Sequence, residues 1–300
     1  MGVISGGSGG GGGGAVILRV NGLSGTSISA NLGSKTVSGT IPYSGVLELN
    51  LGKVGQWAVT ARSGSYSFTQ QAKAFTYGIT EIWALAKKAF YDCTPAEIQV
   101  IAQSGMASQY WAIGDYHKIT MTDGEEIEVA IADFNHDTKS NSEIAPLTLV
   151  MKNCFNTKRT QDKNNETGWA NTIFRTSTLP SILGTFPSAW QSIMTPVKKK
   201  TVNSPTSNTW TETTDTLWLL SYIEVFGDST YAPAGEGTVY PVFSDDASRI
   251  KTINNVASPW FTRSYFGSDK GFKCSIESNG KISKQRQTES SGICLGFCVG

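Results

Sequence analysis

The sequence predicts an α+β protein: a small N-terminal β-sandwich followed by a larger mixed domain. Three observations carry that expectation. A glycine-rich opening gives way near Ala15 to short alternating runs that last to about Leu85. Helix signals begin only after that point. From there on, helices sit among irregular strands with long Gly/Asn/Ser-rich connections, a pattern of segregated α+β architecture rather than of a wound parallel sheet. The expected divisions are an arm over residues 1–14, a sandwich over 15–85 and a mixed domain over 86–300.

The opening "MGVISGGSGGGGGG" holds nine glycines in fourteen residues. Such a composition buries little apolar surface and fixes its backbone only at high entropic cost, so it reads as a tether or assembly arm. A phosphate-binding glycine loop needs a strand before it and a helix after it, and neither flanks this one. Next come "AVILRV", "TSISANL", "KTVSGTI", "GVLELNL", "GQWAVTA" and "SYSFTQQAKAFTY", divided by Gly, Asn and Ser. Leu47, Leu49 and Leu51 share one face while Glu48 and Asn50 share the other, the period of a half-buried strand. Trp57 reads as a core residue of the same sandwich.

In "CTPAEIQVIAQSG", Thr94 caps a helix, Pro95 suits its first turn, Glu97 completes a capping box and Gly105 ends it, with Ile98 and Ile101 facing inward. "HKITMTDGEEIEVAIADF" reads as a hairpin turning at Asp123-Gly124, with Ile127, Val129 and Ile131 on one face. "NTIFRTSTLPSILGTFPSAWQSIM" predicts short helices split at Pro180 and Pro187, because proline breaks a helix interior. "DTLWLLSYIEVFG" reads as an apolar strand. The run Lys198-Lys199-Lys200 reads as a solvated strand edge without a functional role.

Composition bounds the function. With 39% apolar and 16% charged residues the chain is an ordinary folded protein. Its net charge is +1, and residues 1–80 carry five Lys/Arg against one acid. This balance does not describe a polybasic nucleic-acid binder. No run of eighteen apolar residues and no basic-then-apolar leader is present, so the expectation is a chain made in the cytoplasm without a signal peptide or membrane insertion. Five cysteines, at 93, 154, 274, 294 and 298, form neither a CxxC pair nor a disulfide framework and read as buried free thiols. With only His117 and His136, a His-based triad or zinc site has little to draw on. His136 and Asp137 in "FNHD" read as a loop-closing hydrogen-bond motif. Oxygen ligands for calcium are present in Asp162–Glu166 and at Asp245-Asp246, but neither has a calcium-loop spacing. The expected cofactor set is therefore empty, and the expected metal set with it.

Two resemblances add to this reading. The strand pattern of 15–85 resembles the immunoglobulin-like and carboxypeptidase-regulatory-like modules that serve as spacers in surface and virion proteins. The series "SQYWAIGDYHKITMTDGEEIEVAIADFNHD", "GWANTIFRT", "VKKKT", "DTLWLLSYIEVFG", "GEGTVYPVF", "SRIK", "WFTRS" and "SGICLGFCV" is similar to a family found in prophage tail regions and bacterial surface proteins. That family's ending resembles the C-type-lectin fold, also met in formylglycine-generating enzymes and in the variable proteins of diversity-generating retroelements. The enzyme analogy points to Cys274 and Cys294 as a paired-thiol copper site, but both positions read as strand thiols. The resemblance implies a non-enzymatic virion protein of a tailed phage or phage-like particle, with a head that contacts a host cell-surface glycan or protein. It further implies contacts with other virion proteins through the arm and spacer, and a homo-oligomer. The alternative is a capsid fibre or decoration protein with no specific receptor.

In a lectin-like head, the last forty or so residues form the exposed binding face over a buried terminal strand. Ile293, Leu295, Phe297 and Val299, interleaved with Cys294, Gly296 and Cys298, fit a strand buried on both faces. Candidate ligand contacts are Tyr265, Phe266, Lys270, Phe272, Gln285 and Arg286, since aromatic faces cover a sugar's C–H face and donors orient its hydroxyls. Trp260 and Arg263, part of the family's own motif, are expected to be structural: an indole in the core and a guanidinium tying loops.

Overall fold

A computed structural model describes residues 14–63, 66–83, 88–204, 209–267, 269 and 271–300, with backbone alone for 66–72. The expected arm, apart from Gly14, lies outside the described residues. The chain groups into two compact units, residues 1–110 and 111–300. The first unit thus runs past residue 85, where the sequence pattern changes, and takes in the helical stretch that follows.

The first unit is a two-sheet sandwich. Its strands are β1 (Val16–Asn21), β2 (Ser27–Leu32), β3 (Lys35–Thr40), β4 (Val46–Asn50), β5 (Gly55–Ser63), β6 (Tyr66–Phe75) and β7 (Gly78–Trp83). One sheet has the order β4-β1-β7 and the other β3-β2-β5-β6. β1 runs antiparallel to β4 and parallel to β7. Inward residues of both sheets, among them Leu18, Val20, Ile28, Leu51, Val59 and Ile82, close on Trp57, which is fully buried. Leu49 and Leu51 are buried and Glu48 and Asn50 exposed, as the alternation requires. Helix α1 (Pro95–Gln103) has the reciprocal Thr94/Glu97 capping box, with Ile98 and Ile101 buried, and α2 (Ala107–Tyr110) follows.

The second unit centres on its last strand. A sheet of order β11-β20-β10-β9-β8 is made by β8 (Tyr116–Thr120), β9 (Glu126–Phe134), β10 (Leu147–Met151), β11 (Met194–Thr195) and β20 (Leu295–Val299). β8 and β9 form the expected hairpin, with Gly124 at φ +90°. Every residue of β20 is buried. On one side it pairs with β10, and on the other with β11 and with β14 (Trp218–Leu219) placed end to end. A Cβ at Gly296 would lie 2.9 Å from the Trp218 indole, so only glycine allows that ring to lie across the strand.

Between these strands come α3 (Leu179–Thr185), α4 (Ser188–Gln191), the hairpin β12 (Val197–Val202) and β13 (Trp210–Asp215), α5 (Tyr222–Phe226) and α6 (Asp246–Arg249). A two-stranded ribbon, β15 (Thr252–Ile253) with β16 (Val256–Ala257), precedes a three-stranded sheet of β17 (Trp260–Tyr265), β18 (Phe272–Ile276) and β19 (Ile282–Arg286).

Two local expectations are corrected. Pro180 does not divide a helix: a π-helical turn over Phe174–Thr178 runs directly into α3, and this wider turn sits just before the proline, where an N–H is missing from the helical ladder. Pro187 does separate α3 from α4. The apolar run after Thr216 is not one strand. It is the two-residue β14 followed by α5, which starts at a Ser221/Glu224 capping box and ends at Gly227 in the left-handed conformation.

Candidate functional site: a buried charge network beside an aromatic and cationic surface

Strand alternation on β12 turns Lys198 and Lys200 outward and Lys199 inward, where it is 2% exposed. This overturns the expectation that the lysine run is wholly solvated. Lys199 Nζ donates to Asp137 Oδ1 at 2.5 Å, Glu224 Oε1 at 2.9 Å and the Tyr240 hydroxyl at 2.9 Å, and lies 3.9 Å from the centre of a Trp218 ring. From β17, Arg263 grips Glu224 with both terminal nitrogens, at 2.7 and 3.0 Å, and donates to the carbonyls of Leu219 and Glu236. Asp137 also accepts from Thr148 at 2.7 Å. Glu224 serves twice, because its Oε2 also caps the Ser221 amide at 2.8 Å.

Two carboxylates and two cations balance in this layer. Burial pushes both carboxyls up, but Lys199 beside Asp137, and Arg263 and Lys199 beside Glu224, outweigh it and hold both below their usual range. Burial likewise disfavours the Lys199 ammonium, and Glu224 and Asp137 reverse the effect. All four groups therefore stay charged at neutral pH.

A second layer is less well compensated. Glu236 enters the interior from a loop between Gly235 at φ +107° and Gly237 at φ +127°, conformations that favour glycine. A Cβ at Gly237 would meet Glu224 Cγ at 3.0 Å. Glu236 Oε2 accepts from the Ser264 hydroxyl, while Oε1 is buried with no hydrogen-bond partner among the described residues. Burial raises its pKa above the ordinary carboxylate range. Lys273 on β18 is also fully buried, 3.3 Å from the centre of the Tyr265 ring and 3.5 Å from the Arg263 carbonyl. Burial pushes its pKa down to about 7. Outside these layers is a cavity of about 280 Å³, with Lys198, Lys200, His136, Gly235, Gly237 and Thr238 among its lining.

The same loop leads to a cluster of rings at the surface, laid over the buried Tyr222. Tyr231 stacks on Phe266 at 5.1 Å between ring centres and meets Tyr222 edge-on at 5.9 Å, and Tyr222 stacks on Phe226 at 4.8 Å. Phe226, Phe266 and Ile282 pack over a small core of Tyr222, Ile223, Ala232 and Cys274. Cations cover the rings: Arg249 lies 4.4 Å from Phe226, Lys284 4.8 Å from Phe272, and Arg286 4.6 Å from Phe272. The register sets the last contact, since Phe272 on β18 is paired with Arg286 on β19.

Of the residues predicted to touch a ligand, Phe266 and Phe272 are part-exposed and Arg286 is exposed on this surface. Gln285 is part-exposed, with its amide nitrogen 3.4 Å from the Ser290 carbonyl. Tyr265 must be removed from the group. It is fully buried, its hydroxyl donates to the Glu166 carbonyl at 2.9 Å, and its ring is the platform for Lys273. Lys270 lies outside the described residues. Trp260 and Arg263 are both fully buried, the indole donating to the Arg249 carbonyl at 3.0 Å. His136 joins two loops, with Nδ1 2.6 Å from Asp133 and Nε2 2.8 Å from Thr238. Three of the carboxylates considered for calcium have protein partners: Asp162 accepts from the amides of Asn164 and Ile173, Asp245 from that of Ser248, and Asp246 pairs with Arg249 at 2.9 Å. Cys274 points at the carbonyls of Tyr231 and Tyr265, and Cys294 at that of Met151, so their thiols serve different parts of the core.

Sequence reasoning missed Lys199, Glu224, Glu236 and Tyr240. Two signals for them were present. Ser221 and Glu224 have capping-box spacing, and Lys199 falls in phase with Val197 and Thr201 on the buried face of its strand.

Residues 147–299 match the family described as Domain of unknown function (DUF6273). No curated protein and no solved structure shows significant similarity to the chain. The matched segment runs from β10 to the end of β20 and carries Lys199, Glu224, Glu236, Tyr240, Arg263 and Lys273. Because it spans more than half of the sequence, the chain belongs to the DUF6273 family.

Proposed function

We propose that the protein is a non-enzymatic attachment protein of a tailed phage or phage-like particle, whose second unit binds a host-surface glycan through the ring surface of Tyr231, Phe266 and Phe272. In this reading the first unit is an immunoglobulin-like or carboxypeptidase-regulatory-like spacer and the second a C-type-lectin-like head. The two-sheet sandwich and the central, fully buried terminal strand support those assignments. The observation that carries the function is the pairing of part-exposed rings with Lys284 and Arg286 on one face. Rings of this kind cover the C–H face of a sugar while the cations donate to its hydroxyls.

A shallow polar surface of this size binds a single sugar at about millimolar strength, near −4 kcal/mol. Attachment then depends on many copies, and multivalent display adds roughly 10²–10⁴ in avidity without new contacts. A glycan array probed with the full chain tests the reading. Selective glycan binding, lost together with cell adsorption in a Phe266→Ala, Phe272→Ala, Arg286→Ala variant, supports it.

The rival reading is a fibre or decoration protein without a receptor. It draws on the way this surface satisfies itself, with Lys284 paired to Asp269 at 2.6 Å and Phe266 already stacked on Tyr231. Normal adsorption by the triple variant favours that rival.

A further inference from the structure

The cavity bounded by β12 and the Gly235–Thr238 loop is separate in its lining from the ring surface, and its chemistry differs. The inner wall is a closed network in which Asp137, Lys199, Glu224 and Arg263 cancel one another's charge. Among the described residues, two buried atoms of the lining have no hydrogen-bond partner: Glu236 Oε1 and Arg263 Nε. Both atoms are enclosed by protein, so what a guest meets is the exposed Gly235, Gly237 and Thr238 of the loop, whose hydroxyl and backbone groups pair with hydroxyls.

The mouth has a definite sign. Lys198 and Lys200 project from the outward face of β12 on either side of the buried Lys199. Lys198 donates to the neutral Ser142 hydroxyl at 3.1 Å and lies 3.8 Å from Glu212, and Lys200 lies 5.3 Å from the Trp210 ring. Much of their positive charge is thus unspent, and with the inner carboxylates already matched by Lys199 and Arg263 it favours an anion over a cation as occupant. Apart from the His136 imidazole the lining has no aromatic ring, which argues against an apolar guest. A volume of about 280 Å³ is at the small end of ligand sites and holds one ring, not a chain of them.

We propose that this cavity is a second binding site, for a single acidic saccharide unit. Its carboxylate pairs with Lys198 and Lys200, and its hydroxyls face Thr238 and the Glu236 side of the loop. The site does not rest on the attachment reading or on the ring surface.

Ligand-observed NMR titration of the full chain with glucuronate, glucose and inorganic phosphate tests it. Glucuronate is expected to saturate at about millimolar concentration, with glucose and phosphate each at least tenfold weaker. The variant Lys198→Ala, Lys200→Ala alters only side chains that face solvent, so it keeps its melting temperature and weakens glucuronate about tenfold or more. Thr238→Val weakens it without changing the charge, and Phe272→Ala, Arg286→Ala leaves it unchanged. The proposal is overturned if glucuronate fails to saturate, if phosphate or glucose binds as well, or if the double lysine variant binds like the parent protein.

Discussion

Arg263 and Glu224 meet side by side, two nitrogens to two oxygens at 2.7 and 3.0 Å, with no more than 2% of either side chain exposed. The pair joins β17 to α5, and through Lys199 and Asp137 it extends to β12 and the loop that follows β9. A fully desolvated pair of this kind is worth little against an apolar replacement of both partners. Removing one partner, however, strands the other charge.

Arg263→Met should therefore destabilise the second unit by about 3–5 kcal/mol in urea unfolding, because Glu224 loses its bidentate partner. The double variant Arg263→Met, Glu224→Met should be less damaging than the sum of its two single changes, since no lone charge is left behind. A cost below about 1 kcal/mol for the single change would show that the network is not a structural keystone.

Lys273 gives a pH signature. Its folded pKa is depressed to about 7 by burial, so between about pH 7 and the ordinary lysine range the unfolded chain holds a proton that the folded chain releases. Stability from this group accordingly rises with pH through that window, and below it the full penalty of a buried charge is present. Glu236, raised by burial, acts in the opposite sense once pH exceeds the normal carboxylate range, so the difference between variant and parent is the diagnostic curve. Lys273→Met should be more stable than the parent at pH 6 by a few kcal/mol, at about 1.4 kcal/mol per unit of pKa difference. The gap should close toward pH 10. A pH-independent gap would refute the assignment.

The motif residues and the surface residues should separate cleanly in thermal or denaturant unfolding. Trp260→Ala, at a fully buried indole, is expected to cost about 3–5 kcal/mol. Tyr265→Phe loses one hydrogen bond, to the Glu166 carbonyl, and should cost about 1 kcal/mol. The exposed Arg286→Ala should change stability by no more than about 0.5 kcal/mol. If Tyr265→Phe impaired binding without any loss of stability, its placement as a core residue would need revision.

The thiols make a further test. All five cysteines are buried thiols outside any disulfide, and burial pushes the Cys93 thiol up to about 12. A thiol reagent at neutral pH should react slowly with the native chain and with five groups after denaturation without reductant. Rapid modification of the native protein, or fewer than five groups in the denatured one, would contradict this arrangement.

Sequence alone determined whatever depends on neighbours along the chain. Leu49 and Leu51 alternate because a strand turns successive side chains to opposite faces, and the Thr94/Glu97 box forms because its partners are three residues apart. The burial of Leu295–Val299 was legible for the same reason, in an apolar run with nothing polar to place on either face. Tertiary structure decided the rest. Lys199 looked solvated within a lysine run, and only Asp137, Glu224 and Tyr240, brought from 25 to 62 residues away, make its burial tolerable. Tyr265 looked like a surface ring until the Glu166 carbonyl, 99 residues distant, took its hydroxyl and Lys273 covered its face. A buried charge or hydroxyl is stable only where partners converge on it in space, and that convergence is a property of the folded chain, not of any local pattern of residues.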